Sequence, residues 1–217
     1  MAKRAEAVTI IGGADGPTSV FIAGKGKHKK SLKQRIRVFF YDKKKKRAER
    51  RITATPHTLQ EVTAYIMNQY GGVELPGGGR SVWEEKNSLK TALVLEYRPD
   101  LLGALAKLDK PKEHTVEAVT EFMHQVKLRE EAAEQLSEEV FPMDFHVYEI
   151  QLLEGTLRVS VENVWEKFSV SYSGSSRKNM KKLKNIAKEL YCYYGVTETD
   201  ISSRSQRYLA LRAILCE

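Results

Sequence analysis

A carboxylate and two hydroxyls lie within a glycine-rich stretch near the start of the chain, and these are oxygen groups of the kind that bind small cations. Residues 8–25 read VTIIGGADGPTSVFIAGK. Glycine permits backbone conformations that other residues avoid, so such a stretch can display a carboxylate among exposed peptide groups. Hard oxygen donors suit sodium, magnesium or calcium and not soft metals. The candidate cation-binding residues are Gly12, Gly13, Asp15, Gly16, Thr18 and Ser19.

The same stretch is also typical of a turn between two short strands. The apolar residues on either side predict strands over 9–11 and 19–23. In that interpretation Asp15-Gly16 is ordinary turn chemistry, because both residue types are frequent in tight turns. The residues alone leave a cation site and a plain turn both open.

Residues 10–18, IIGGADGPT, with the similar run SVFIAGK after them, resemble a motif of one enzyme family. It is the β subunit of the sodium-translocating, biotin-dependent decarboxylases of oxaloacetate, methylmalonyl-CoA and glutaconyl-CoA. In that family the motif lies within the membrane, and its aspartate is implicated in carrying sodium. The resemblance implies that Asp15 is the carboxylate of a sodium site and that Gly12-Gly13 and Gly16-Pro17 form irregular backbone around it.

The resemblance covers about 18 of the 217 residues, and the chain after Lys25 is hydrophilic where the family continues into transmembrane helices. A membrane-spanning helix needs about 20 apolar residues, and no such run is present in the sequence. We therefore expect a soluble relative or accessory of the decarboxylase β subunit that neither pumps sodium nor decarboxylates by itself. Its expected partners are decarboxylase subunits at the membrane face, with no directly bound cofactor except a sodium ion.

The positive charge of the chain is concentrated in one segment. Residues 25–51 contain fourteen Lys and Arg against two acidic residues, whereas the whole chain has a net charge of +8. A segment of this kind seeks phosphate groups on nucleic acid or on an anionic membrane. The candidate polyanion-binding residues here are Lys29, Lys30, Lys33, Arg35, Arg37, Lys43, Lys44, Lys45, Lys46 and Arg47.

Within the basic segment, apolar residues recur at helical spacing. Leu32, Ile36, Phe39 and Phe40 would form one narrow stripe on a helix over about 30–50. A basic amphipathic helix can lie on an anionic lipid surface, and the same charges can contact nucleic-acid phosphates. A third interpretation is a surface helix whose stripe packs on the protein's own core. An exposed stripe would favour a membrane or protein partner over RNA.

A second, weaker resemblance concerns residues 115–194. The predicted order there is a helix, three strands and a helix, which is similar to a double-stranded-RNA-binding domain. In that family a glycine-rich turn leads into a lysine cluster at the start of the last helix, and Gly174 precedes such a cluster here. The resemblance implies phosphate contacts by Arg177, Lys178 and Lys181.

The predicted fold class is α+β: a small antiparallel sheet packed with several amphipathic helices and no transmembrane helix. A capping box at Thr58 predicts a helix start, alternation over 89–95 predicts a strand, and Pro99 opens a short helix. Strands are predicted over about 145–153, 156–162 and 167–173. Four zones follow: a glycine-rich head (1–24), the basic segment (25–51), a mainly helical region (52–140), and three strands with two helices (141–217).

The sequence contains no complete active site, so enzymatic activity is uncertain. There is no P-loop, dinucleotide-binding glycine motif, zinc-protease motif or serine-hydrolase elbow, and the five histidines lack metal-ligand spacing. Cys192 and Cys216 form no C-x-x-C pair, which is typical of a reducing compartment. The absence of a secretory leader pattern agrees. We expect a cytoplasmic protein that associates peripherally with the inner membrane surface.

Overall fold

The computed structural model of the chain describes residues 8–11, 19–22, 32–109, 111, 115–153 and 155–216. In chain order the strands and helices are β1 (Val8–Ile11), β2 (Ser19–Ile22), α1 (Leu32–Glu49), α2 (Leu59–Tyr70), β3 (Val73–Glu74), α3 (Arg80–Tyr97), a 3-10 helix (Pro99–Ala106), α4 (Val116–Glu134), β4 (Phe145–Leu152), β5 (Gly155–Glu162), β6 (Lys167–Gly174), α5 (Arg177–Tyr194), α6 (Glu198–Ser203) and α7 (Gln206–Cys216).

The described residues confirm the α+β class. Helices accompany a four-stranded antiparallel sheet with the strand order β3-β4-β5-β6, and β1 and β2 form a separate pair. In the part of the chain that the structure describes, every helix is too short or too polar to cross a bilayer.

Two compact units can be distinguished. The first contains the described residues up to Val73, Tyr148–Val159, and those from Phe168 onward. The second contains Glu74–Val147 and Ser160–Lys167.

The two strands expected at the start of the chain are present. β1 and β2 pair antiparallel, with Val8 opposite Ile22 and Ile11 opposite Ser19. The two predicted strands are therefore confirmed, and the turn between them stays a prediction. The residues that join the strands lie outside the described part of the chain.

Helix α2 begins and ends where its local sequence predicts. The Thr58 backbone N–H donates to Glu61 Oε2 at 2.7 Å, and the Glu61 N–H donates to Thr58 Oγ1 at 3.2 Å, which completes the capping box. The helix ends at Gly71, whose φ of 61° lies in the left-handed region that favours glycine. Val62 and Ile66 are fully buried and supply the apolar face of the helix.

The predicted strand over 89–95 is wrong, because these residues lie inside helix α3. Leu89, Leu93 and Val94 are buried, and so are the intervening Lys90 and Thr91. Burial at neighbouring positions of a helix gives short apolar–polar alternations that imitate a strand. The spacing of Val82, Leu89 and Leu93 is helical.

The buried ammonium group of Lys90 fixes the end of helix α4 in the second unit. It donates to the carbonyl oxygens of Glu134 at 3.0 Å and Leu136 at 2.5 Å. Carbonyls at a helix C-terminus have no intrahelical donor, so a cation there satisfies them. Burial lowers the pKa of Lys90 from its usual value.

Strands β4, β5 and β6 lie close to the three predicted strands, and β3 adds a two-residue edge that the sequence analysis missed. Leu157, Val159 and Val161 of β5 are fully buried. Their alternation with polar residues made this strand predictable, since successive side chains of a strand point to opposite faces.

Candidate anionic-surface interface

Helix α1 presents its predicted apolar stripe to solvent. Ile36, Phe39 and Phe40 are 49%, 62% and 60% exposed, whereas Ala48 is only 4% exposed. Nine residues separate Phe39 from Ala48, which is two and a half helical turns, so the two lie on opposite sides of the helix. Helix α1 packs against α7 within the first unit. The covered side of α1 is thus the Ala48 side.

The interpretation in which this stripe packs on the protein's own core is therefore wrong for Ile36, Phe39 and Phe40. The two phenylalanine rings contact each other edge to face, with centroids 5.9 Å apart. Val38 and Tyr41 of the same helix are also exposed. Adjacent exposed apolar residues on one element are typical of an interaction surface.

Exposed positive charge follows directly after these aromatic rings. Lys43, Lys44, Lys46 and Arg47 are exposed and Lys45 is half-buried. Among the ion pairs that the described residues form, none involves these five side chains. Glu49 is paired with Arg212 of α7 at 3.1 Å. Within the described part of the chain, the charges of residues 43–47 are therefore not engaged in ion pairs, and an external anion can contact them.

The rest of the predicted basic segment is only partly described. The backbone of Lys33, Arg35 and Arg37 lies in α1, but their side chains are outside the described part of the chain. Lys29 and Lys30 lie wholly outside the described residues. Their predicted contacts with a polyanion stay predictions.

A second basic surface lies at the start of helix α5, where the predicted residues Arg177, Lys178 and Lys181 are exposed. The helix starts at the N-cap Ser176, whose Oγ accepts from the Asn179 N–H at 3.3 Å. Its opposite face is buried through Leu183, Ala187 and Leu190. The exposed face also contains Lys182, which the sequence analysis omitted although its spacing from Lys178 places it on the same face.

No protein-family model, curated protein or solved structure matches this chain. The order helix, three strands and helix is present as α4, β4, β5, β6 and α5, as predicted for residues 115–194. The resemblance to a double-stranded-RNA-binding domain otherwise stays a prediction.

The predicted cation site lies almost entirely outside the described residues. Gly12, Gly13, Asp15, Gly16 and Thr18 are in this group, and Ser19 is described only as backbone of β2. The described residues contain no cluster of three or more His, Cys, Asp or Glu side chains that could hold a metal ion. The sodium site and its resemblance to the decarboxylase motif therefore stay predictions.

One titratable cluster in the second unit was not foreseen. His146 Nδ1 lies 2.6 Å from Glu74 Oε1, and its Nε2 lies 2.8 Å from Asp144 Oδ1. Both ring nitrogens face carboxylates, which accept hydrogen bonds, so the doubly protonated imidazolium fits this arrangement. The cluster joins the short edge strand β3 to the start of β4.

Electrostatics agree with that assignment. Burial lowers the pKa of His146, but the hydrogen bonds and charges of Glu74 and Asp144 outweigh it, so the pKa lies above its usual value. The hydrogen bond from Asn163, followed by that from His146, lowers the pKa of Asp144. His146 and Asp144 are therefore both charged at mildly acidic pH.

We expect the His146 cluster to stabilise the fold most between about pH 4 and pH 6.5, which are the ordinary pKa values of its acid and base. The histidine contribution is complete below its unfolded pKa and is lost as pH rises through its raised folded pKa. The aspartate contribution is lost as pH falls through its lowered folded pKa. The group is partly exposed, so the effect should stay below about 1 kcal/mol.

Urea unfolding of His146→Gln and the wild type between pH 6 and 8.5 tests this expectation. The difference in free energy of unfolding should shrink as pH rises. His124→Gln, at an exposed position of α4, is the matched control and should show no such trend. A difference for His146→Gln that stays constant over this range would contradict the expectation.

Proposed function

We propose that this chain is a peripheral protein that binds anionic membrane surfaces through helix α1. The observation that supports the proposal most strongly is the exposure of Ile36, Phe39 and Phe40 on neighbouring turns of α1. Five consecutive basic residues, 43–47, follow on the same helix. Exposed aromatic side chains beside Lys and Arg on one helix are groups that can enter a lipid interface together.

Two kinds of attraction would act together. Each Lys or Arg near an anionic bilayer contributes about 1 kcal/mol, and this attraction weakens within a Debye length. Fully burying a phenylalanine side chain contributes about 1.5 to 3 kcal/mol. Neither source alone gives stable anchoring, which generally takes two signals. Helix α1 offers both within about three turns.

The aromatic stripe is what favours lipid over nucleic acid. Binding to phosphates of RNA or DNA uses the positive charges and depends steeply on salt. It leaves an aliphatic residue such as Ile36 without a role, whereas a lipid interface buries Ile36, Phe39 and Phe40 together. Nucleic-acid binding is the alternative outcome of the test below.

A membrane-surface location would also suit the role that residues 8–25 predict. We propose, on that resemblance alone, that the chain accompanies a sodium-translocating decarboxylase at the membrane face. This part is separable, because α1 would bind lipid with or without such a partner. Recovery of carboxyltransferase or biotin-carrier subunits with the chain, and their loss in Asp15→Ala, would test it.

The lipid proposal predicts that Phe39→Ser/Phe40→Ser reduces binding to vesicles of phosphatidylcholine and phosphatidylglycerol at least about tenfold. This is the factor expected when roughly 1.4 kcal/mol of apolar burial is lost. Flotation of vesicles with the full chain measures the bound fraction. Val116→Ser/Val119→Ser removes two exposed apolar side chains from α4 and is the matched control, which should bind like the wild type.

Two further measurements distinguish binding to lipid from binding to nucleic acid. Vesicles of phosphatidylcholine alone should bind weakly, because they carry no net negative charge, and binding to the anionic vesicles should fall as salt rises. Failure to float with anionic vesicles, combined with salt-labile binding of an RNA duplex that ignores the phenylalanine substitutions, would overturn the proposal.

A further inference from the structure

A cavity of about 770 Å³ lies in the first unit between the β4–β5 turn and helix α5. Its volume falls within the roughly 300–1,000 Å³ of small-molecule sites. None of the described residues of helix α1 lines the cavity. It also includes groups that neither the cation site nor the interface of α1 uses.

The cavity is apolar where the strands and the helix meet. Leu152 at the end of β4 and Leu153 in the turn after it line the cavity on one side, and Leu183 and Ile186 line it from α5. Leu183 is fully buried, whereas the side chain of Leu153 is fully exposed. A ligand that covers this exposed leucine would gain binding free energy, because apolar area removed from water contributes about 25 cal/mol per Å².

Gly155 shapes this wall. A Cβ at this position would lie 2.7 Å from the Ser173 carbonyl oxygen and 2.8 Å from Leu183 Cδ1. The first residue of β5 can therefore approach both β6 and α5 only because it has no side chain. Both Gly155 and Leu183 line the cavity.

The remaining wall is positively charged. Lys178 and Lys182 line the cavity and are one helical turn apart on α5, so they lie on the same side of the helix. Among the described residues, neither lysine forms an ion pair, and no carboxylate lines the cavity. Asn179 adds an amide to the same wall. The two positive charges on this wall favour an anionic ligand.

We infer that this cavity binds a single-chain amphiphile with an anionic head group, the chain lying against Leu152, Leu153 and Ile186 and the head group between Lys178 and Lys182. The charge of the two lysines selects the head group, and the apolar wall selects the chain. A free inorganic anion would leave Leu153 exposed, and an uncharged chain would form no ion pair with either ammonium group. The inference is independent of lipid-surface binding by α1.

Calorimetric titration of the full chain with dodecyl phosphate, below its critical micelle concentration, tests this site. We expect binding that Lys178→Gln/Lys182→Gln weakens at least about tenfold. Arg177→Gln/Lys181→Gln removes the same charge from the same helix outside the cavity, and it should change the dissociation constant less than about twofold. The side chains of all four substituted residues are exposed, so both double variants should fold.

Additional probes separate the two parts of the ligand. Leu153→Ser should weaken dodecyl phosphate binding, while inorganic phosphate and dodecanol should each bind far more weakly than dodecyl phosphate. Equal binding of inorganic phosphate would reduce the site to a simple anion contact and overturn the inference. If the two double variants weakened dodecyl phosphate binding equally, the inference would be overturned. It would also be overturned if an RNA duplex displaced dodecyl phosphate equally well from the wild type and from every variant.

Discussion

Replacing Gly195 with alanine is expected to destabilise the first unit by about 3 to 5 kcal/mol. Gly195 has a φ of 60° and a ψ of −157°, a backbone conformation almost confined to glycine. A Cβ there would collide with the Thr55 carbonyl, whose carbon would lie only 2.9 Å away. Strain and overpacking each contribute about 1 to 3 kcal/mol.

The neighbours of Gly195 leave little room for relaxation. Its N–H donates to the Tyr191 carbonyl at 3.0 Å, and its own carbonyl accepts from Arg207 Nε at 2.8 Å. The Arg207 guanidinium also stacks on the Tyr194 ring, 3.6 Å from its centroid. Moving the backbone to admit a methyl group would therefore disturb the end of α5 and its contact with α7.

Urea unfolding followed by far-ultraviolet circular dichroism measures this loss, since both tryptophans, Trp83 and Trp165, belong to the other unit. Gly77→Ala is the matched control, because a Cβ at Gly77 would meet nothing within 4 Å. It should leave stability unchanged or raise it slightly by restricting the unfolded chain. Equal unfolding midpoints for the two variants would refute the assignment of strain to Gly195.

Replacing Glu162 with glutamine is expected to lower stability by about 2 to 4 kcal/mol. The Glu162 side chain is fully buried and accepts from the backbone N–H groups of Asp144 at 2.7 Å, Val164 at 3.3 Å and Trp165. A carboxylate only accepts, whereas an amide turns one of its two ends into a donor. Buried N–H groups would then face an NH₂ group and lose their partners.

The position of Trp165 makes this loss measurable by fluorescence. Its ring stacks between Tyr97 and Phe141, with centroid distances of 4.8 Å and 4.7 Å. In Glu162→Gln the Trp165 emission should shift to the red as this turn loosens, and the amides of Asp144, Val164 and Trp165 should exchange faster. Glu130→Gln, an exposed position of α4, makes the same charge change and should alter stability by less than about 0.5 kcal/mol. Unchanged amide exchange at all three positions would argue against the Glu162 contacts.

Elements with local start and stop signals were predictable. The Thr58 capping box requires only residues within one turn, and the alternation of Leu157, Val159 and Val161 is a property of a single strand. The helix over 30–50 was predicted from spacing alone and is present as α1. The alternation over 89–95 predicted a strand wrongly, because α3 is buried on several sides there and its apolar residues therefore do not follow a helical period.

The candidate sites could not be predicted in full, because each is formed by contacts between residues that are distant in the sequence. Spacing placed Leu32, Ile36, Phe39 and Phe40 on one side of a helix, but the side that becomes covered depends on where α7 packs, more than 150 residues further along the chain. The cavity likewise combines Leu153 of the β4–β5 turn with Lys178 and Lys182 of α5. Glu74 meets His146 only because β3 adds to the edge of the sheet beside β4.

By itself, the sequence determined the α+β class, the concentration of positive charge in residues 25–51 and the helix over residues 32–49, because composition and periodicity are carried by neighbouring residues. Only the tertiary structure decided that the aromatic side of α1 faces solvent, that Glu162 and Lys90 are buried with partners, and that two lysines border an apolar cavity. Exposure and side-chain partners depend on elements distant in the chain, and these meet only when the chain folds.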